Sequence, residues 1–276
     1  MKFSLLAMDL DGTALQPDGV SFSPRLMTAL EQLHRRGILV VPTTGRPYAM
    51  LPPVLKEKHD WLRYAIVCDG SEIRRMDTGE CVLGYYLPRQ TIQDLIDLAD
   101  TLELPLEISA QNQLYLTRKS WQMQQPYAQK IPHHVHTILP QFGVISEDAS
   151  GFAADFGGRA DKVNLPVVEA EKKDRVLQAL SELPIQAVWC GSNSLEITHP
   201  EASKGKTLRA LCRLLQIPPE QTLAMGDSDN DLSMLQSAGF SVAMGNAPDF
   251  VKQSAMAVTD TNVQDGAAKA IETYLL

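Results

Sequence analysis

The sequence predicts an α/β protein, a doubly wound, Rossmann-like parallel sheet interrupted by an inserted α+β domain. Three observations carry that expectation. Short apolar runs at 3–7, 38–41, 64–68, 222–225 and 240–244 each lead into a turn rich in Asp, Asn, Thr or Gly, the signature of buried parallel strands. Helix-patterned segments stand between successive runs at both ends of the chain, the alternation of βαβ units. From about 84 to 190 the pattern changes to short strand pairs and differently spaced helices.

The elements follow in order. The first run, Phe3-Ser4-Leu5-Leu6-Ala7, ends in Met8-Asp9-Leu10-Asp11-Gly12-Thr13. Ser23-Pro24 is an N-cap with proline at the first helical position. Leu26, Ala29, Leu30 and Leu33 then recur at helical spacing until Gly37, where a C-cap glycine belongs. The second strand, 38–41, exits into Thr43-Thr44-Gly45-Arg46-Pro47, and the third, 64–68, into Asp69-Gly70-Ser71. Segments 73–76 and 81–83 flank Asp77-Thr78-Gly79-Glu80 as a hairpin.

A helix is expected over 89–102, then strands near 106–109 and 114–117. Residues 118–160 are polar, Gln-rich and broken by Pro126, Pro132 and Pro140, and show no readable period. A strand at 163–168 and a helix at 169–183, with Val176, Leu177 and Leu180 inward, precede strands at 185–189 and 194–198. The parallel grammar resumes with a helix over 204–215, whose inward positions are Leu208, Leu211 and Leu215, and strands at 222–225, 240–244 and 255–258. A helix over 266–276 closes the chain. The expected division is a core of 1–83 and 191–276 with 84–190 inserted.

With 276 residues, 44% hydrophobic and 21% charged, the chain is long enough for two globular domains and too apolar for disorder. A net charge of −8 argues against non-specific nucleic-acid or anionic-membrane partners. No apolar run spans a bilayer and no signal peptide is expected. Cys68, Cys81, Cys190 and Cys212 form no Cys-x-x-Cys pair and read as small buried thiols of a cytoplasmic protein.

In open α/β sheets ligands bind beyond the carboxyl ends of the strands. That edge would collect Asp9, Asp11 and Thr44 from the amino half and Lys204 and 227–231 from the carboxyl half. Each has an ordinary alternative: Asp-Gly as a turn, Lys204 as a solvated first-turn residue, Asp227 and Asp229 as helix caps, Arg46 as a surface charge. His133, His134 and His136 invite a metal reading, but without a further carboxylate or thiol they read as a solvated cluster. It is convergence on one edge that favours chemistry.

Asp-x-Asp-Gly-Thr at 9–13, Thr-Gly-Arg-Pro at 44–47, Lys204-Gly205 and Gly-Asp-x-x-Asn-Asp at 226–231 stand in order along the chain. Together they resemble the haloacid dehalogenase-like hydrolases and, within them, the Cof-type phosphatases. Met244-Gly245-Asn246-Ala247-Pro248 and Asp265-Gly266 add to the likeness, and the insertion resembles that family's C2B cap. The resemblance implies a Mg²⁺-dependent phosphatase acting on small phosphorylated metabolites through an aspartyl-phosphate. Asp9 would be the nucleophile and Asp11 the general acid and base. Mg²⁺ would be held by Asp9, the main-chain carbonyl of Asp11 and Asp227, with Asp231 behind them. Thr44 and Lys204 would contact phosphate and nucleophile, and Gly12, Gly45, Arg46 and Asn230 would belong to the phosphate or substrate surface. One departure stands out: the family usually has Asn-Gly-Ala where this chain has Asp69-Gly70-Ser71. That carboxylate could repel substrate, pair with Arg46 or face away. A phosphomutase or phosphotransferase remains the alternative within the fold, and a phospho-accepting signalling protein the alternative outside it.

Overall fold

Leu5, Leu6, Ala7 and Met8 form strand β1 (Leu5–Met8), every residue of it buried. The computed structural model describes residues 3–129, 131, 134–147, 157–191 and 193–276. Helix α1 (Pro24–Arg35) begins where the Ser23 side chain accepts the Leu26 N–H, and buries Leu26, Ala29, Leu30 and Leu33. Gly37, at φ +73°, turns the chain into β2 (Leu39–Pro42). A short α2 (Pro53–Lys56) leads to β3 (Tyr64–Val67) and the hairpin β4 (Glu72–Arg75) and β5 (Cys81–Gly84).

The chain then builds β6 (Leu87–Pro88), α3 (Arg89–Thr101), β7 (Glu107–Ala110), β8 (Gln113–Thr117), α4 (Arg118–Gln124), α5 (Leu139–Phe142) and β9 (Gly143–Ser146). After β10 (Arg159–Ala160) come β11 (Lys162–Leu165), α6 (Lys173–Leu180), β12 (Gln186–Cys190) and β13 (Ser194–Thr198). The last part is α7 (Lys204–Leu215), β14 (Thr222–Gly226), α8 (Leu232–Ser237), β15 (Phe240–Ala243), α9 (Asp249–Ser254), β16 (Ala257–Val258) and α10 (Gly266–Tyr274).

Two compact units result, Met1–Gly84 with Ala202–Leu276, and Tyr85–Glu201. In the first, the parallel sheet runs β16-β15-β14-β1-β2. Parallel bridges Val40↔Leu62 and Thr43↔Ile66 bring β3 beside β2. Side chains alternate across a strand, so Leu6 and Met8 join the layer containing Leu26, Leu30, Leu33 and Ile271. Leu5 and Ala7 join the opposite one, with Leu208, Leu211, Met234 and Leu235. Helices therefore cover both faces, and only the strand ends are left for a ligand.

The second unit is a six-stranded sheet, β12-β13-β11-β7-β8-β9, antiparallel except for β8 with β9. One face carries Ile108, Val163, Leu195 and Ile197 against Ile92, Leu95, Val176 and Leu180.

Three expectations change here. β13 pairs with β12 and β11 inside this sheet, so the unit extends to Glu201 and the returning core begins at Ala202, not 191. A strand's sequence does not name its partner, and β13 reads like a core strand until it is paired. Leu177 is 44% exposed; the inward stripe is Val176 and Leu180, four apart, and Leu177 lies about 100° round the helix from Val176. The solvated-cluster reading of the histidines also gives way: His134 and His136 lie in one wide helical turn, His134–Ile138, and His133 falls outside the described residues. The His134 Nε2 instead meets the buried Glu107 Oε1 at 2.7 Å, a carboxylate that also accepts from Gln124. Among the described residues no helix is long and apolar enough to cross a membrane; Cys68 and Cys212 are buried as expected, whereas Cys81 and Cys190 are only half-buried.

Candidate active site

The register of the parallel sheet decides which side chains meet. Met8 is level with Met225 on one side and Pro42 on the other, so β1, β2 and β14 end together. Backbone bonds extend the alignment by a residue: Asp9 N–H donates to Met225 O and Thr43 N–H to Met8 O. Asp9, Thr44 and Asp227 therefore leave adjacent strands at one edge.

Lys204 is the first residue of α7, capped by Ser203, whose side chain accepts the Lys206 N–H. Its side chain is 1% exposed, and Nζ donates to Asp9 Oδ1 and Asp231 Oδ1, each at 2.7 Å. The solvated first-turn reading of this lysine is thereby excluded. Burial disfavours its charge, but Asp231 and Asp9 outweigh burial and hold its pKa well above the usual value. For Asp9, burial and then the charge of Asp231 dominate over the pull of Lys204, and the carboxyl is pushed well above its ordinary range.

Asp227 lies partly buried beside them. Its Oδ1 accepts from Thr13 Oγ1 at 3.2 Å and its Oδ2 from Asn246 Nδ2 at 3.1 Å. Burial, then Asp231, raises it to about 6. Gly12, at φ +78°, passes so close that a Cβ there would sit 2.3 Å from Asp227 Oδ2. Asp231 spends its second oxygen on the N–H groups of Asp227 and Ser228, at 2.9 and 3.1 Å. Glycine at 226 leaves room for it, since a Cβ there would approach the Asp231 side chain to 2.5 Å.

Thr44 is 1% exposed; its N–H donates to Ile66 O and its Oγ1 accepts from the Arg46 N–H at 3.1 Å. Asp11 stands apart from the buried carboxylates. Its side chain is 55% exposed and takes a bidentate pair from Arg46, Nε to Oδ2 at 2.8 Å and Nη2 to Oδ1 at 2.5 Å. Arg46 also donates to Gly19 O at 3.0 Å. Gly45 faces Asp69, where a Cβ would lie 2.9 Å from Oδ1. Asn230 donates Nδ2 to Asp69 Oδ1 at 3.0 Å and accepts from Ser228 Oγ at 2.7 Å. Asp69 thus pairs with Asn230, and the Arg46 guanidinium with Asp11.

Carboxylate oxygens of Asp9, Asp227 and Asp231 lie within 4.8 Å of one another. Three acids crowd a space where Lys204 supplies one positive charge, and the upward shifts of Asp9 and Asp227 record the imbalance. An all-oxygen donor set with negative charge in excess fits a hard divalent cation. Thr13 and Asn246 have no role assigned from the sequence, although Asn246 bridges Gly12 O and Asp227. The available signal was that both follow strands of the same parallel sheet, β1 and β15.

Residues 6–271 match the sequence profile of a family described as haloacid dehalogenase-like hydrolase. The chain is similar, at 30% identity over 276 residues covering 100% of it and 97% of the relative, to the 5-amino-6-(5-phospho-D-ribitylamino)uracil phosphatase YcsE of Bacillus subtilis. It is 25% identical to the pyridoxal phosphate phosphatase YbhA of Escherichia coli, over the full length of both. A solved haloacid dehalogenase-like hydrolase from B. subtilis superposes with a TM-score of 0.82 at 27% identity, covering 99% of this chain and 100% of that one.

Proposed function

The chain belongs to the haloacid dehalogenase-like hydrolases, and on that premise we propose that it is a Mg²⁺-dependent phosphatase of small phosphorylated metabolites, working through an aspartyl-phosphate on Asp9. The observation that carries the reading is the buried triad in which Lys204 Nζ holds both Asp9 and Asp231 beside Asp227.

In this reading an Asp9 carboxylate oxygen attacks phosphorus while the bond to the leaving oxygen breaks. Lys204, bonded to Asp9 Oδ1, fixes that carboxylate so that its other oxygen is presented for attack. Thr44, at the exit of β2, binds a phosphoryl oxygen. Asp11, two residues beyond the nucleophile, once released from Arg46 and protonated, gives that proton to the departing alkoxide and then takes one from the water that releases phosphate from Asp9. Its exposed side chain and its pairing with Arg46 keep it beside the site and outside the buried carboxylate cluster. Asp9, the Asp11 carbonyl and Asp227 would hold Mg²⁺, which when bound supplies positive charge to the attacking carboxylate and the phosphoryl group. Asp231, engaged by Lys204 and two backbone amides, orients the lysine and the Asp227 loop.

The unit Tyr85–Glu201 is, on this reading, the cap that selects the substrate. The relatives named above act on a ribitylaminouracil phosphate and on pyridoxal phosphate, so sugar phosphates, pyridoxal phosphate and flavin mononucleotide-like compounds are the candidate class. Four widely spaced cysteines with no Cys-x-x-Cys pair suit the cytoplasm. The test is phosphate release across such a panel in Mg²⁺ and in EDTA. Release that needs Mg²⁺ supports the reading; full turnover in metal-free buffer, or no release from any member, rejects it.

A further inference from the structure

We infer that Asp69 is a positioning residue of this site, whose carboxylate orients Asn230 and, through it, the loop that presents Asp227. The inference rests on the phosphatase reading for its kinetic consequences, and on the geometry around the end of β3 for its cause.

Cys68, Asp69 and Gly70 are three consecutive left-handed residues, at φ 50°, 55° and 98°. Residues with side chains adopt that conformation in sequence only under constraint, and here the constraints are all to parts of the site. Cys68 N–H donates to Arg46 O and Asp69 N–H to Thr44 O, which fastens the turn to the loop after β2. Gly70 O accepts from Thr207 Oγ1 at 2.6 Å, and Gly70 lies so close to Ser203 that a Cβ would meet its carbonyl at 2.4 Å. This fastens the turn to the start of the helix that carries Lys204.

The third tether is the Asp69 side chain. It is 5% exposed and its Oδ1 accepts from Asn230 Nδ2. An ionised carboxylate only accepts, so Asn230 must turn its amide nitrogen toward Asp69 and its oxygen toward Ser228 Oγ. Ser228 and Asp227 in turn donate their N–H groups to Asp231 Oδ2. An asparagine at 69 could present either end of its amide and would leave that orientation undecided. The charge acts further, since Asp69 is the third carboxylate, after Asp231 and Asp9, that favours the Lys204 ammonium.

The experiment compares Asp69→Ala, Asp69→Asn, Asn230→Ala and the Asp69→Ala/Asn230→Ala double variant. Each is measured for kcat, KM, Mg²⁺ affinity by calorimetry, and Tm. Removing the acceptor should lower kcat ten- to a hundredfold, the scale of a loss of about 1 Å in placement, with a smaller change in KM and Mg²⁺ binding weakened severalfold. Asp69→Asn, which can present either end of its amide to Asn230, should recover only part of that loss. The double variant should be no worse than the poorer single, because both act through one link. Wild-type kcat and Mg²⁺ affinity in Asp69→Ala, or losses that multiply in the double variant, would overturn the assignment. If Asp69→Ala does not fold, Asn230→Ala alone decides: the same fall in Mg²⁺ affinity supports it and an unchanged affinity rejects it. Calorimetry does not depend on substrate, so a wild type inactive on every phosphate ester would count against the proposed function while Asp69 is still judged by Mg²⁺ binding.

Discussion

Replacing Asp227 by Asn should stabilise the metal-free protein and destabilise the metal-bound one relative to wild type. Burial and the charge of Asp231 raise Asp227 to about 6, against an ordinary 3.8. Between those values the folded chain binds more protons at this position than the unfolded chain, so stability falls as pH rises through the window. The cost is complete above about pH 6 and gone below about pH 4. About two pH units at 1.36 kcal/mol each give about 3 kcal/mol as an upper bound, and solvent screening at the open side of the site roughly halves it. In EDTA near neutral pH, Asp227→Asn should therefore melt roughly 3–6 °C above wild type, with the gap closing toward about pH 4. Mg²⁺ at a hundred times its Kd adds about 2.7 kcal/mol to a protein that binds it, and the variant has lost a ligand, so the order should reverse. Differential scanning fluorimetry across pH, with EDTA or Mg²⁺, reads both halves. A wild type at least as stable as the variant in EDTA at neutral pH, or equal Mg²⁺ stabilisation of both, would refute the reasoning.

Asp9→Asn should form no phosphoenzyme with any substrate, whereas Asp11→Asn should give a burst of nitrophenol from p-nitrophenyl phosphate and then turn over about 10²–10⁴-fold more slowly; the opposite pattern would mean the two roles are exchanged. Gly12→Ala should weaken Mg²⁺ activation and cost about 1–3 kcal/mol, because its Cβ would meet Asp227 Oδ2 at 2.3 Å in a left-handed turn; wild-type melting and Mg²⁺ response would show that the turn relaxes freely. His134 is raised because Glu107 outweighs burial, so its contribution is present below about pH 6.5 and lost as pH rises through the raised value. His134→Gln should accordingly lower Tm more at about pH 5.5 than at about pH 8.5, and a deficit independent of pH would exclude the ion pair as its cause. Replacing Tyr85–Glu201 by a short linker should leave a folded core, since its two hydrophobic clusters draw only on residues outside that unit; weak aryl-phosphate hydrolysis should survive while discrimination among metabolites is lost, and an insoluble core would contradict the division.

The sequence by itself determined the parallel core and the acidic edge of its sheet. Both are local signals: an apolar run such as 3–7 buries itself, and the residue after it must leave the sheet at its carboxyl end. The helix from Pro24 was equally legible, because the cap and the Leu26, Ala29, Leu30 and Leu33 stripe lie within a dozen residues. Tertiary structure alone decided who pairs with whom. Lys204 meets Asp9 across 195 residues, Asn230 meets Asp69 across 161, and Asn246 reaches Gly12 across 234. The same ignorance of partners hid the place of β13 in the second sheet and the diversion of Arg46 to Asp11. Burial likewise emerges only on assembly: lysine at a helix start is ordinarily solvated, and Lys204 is enclosed because the turn at 68–70 and the loop at 226–231 close over it. A one-dimensional pattern encodes periodicity and chain exits, while the charge state and hydrogen-bond partners of this site depend on distances that only the folded chain possesses.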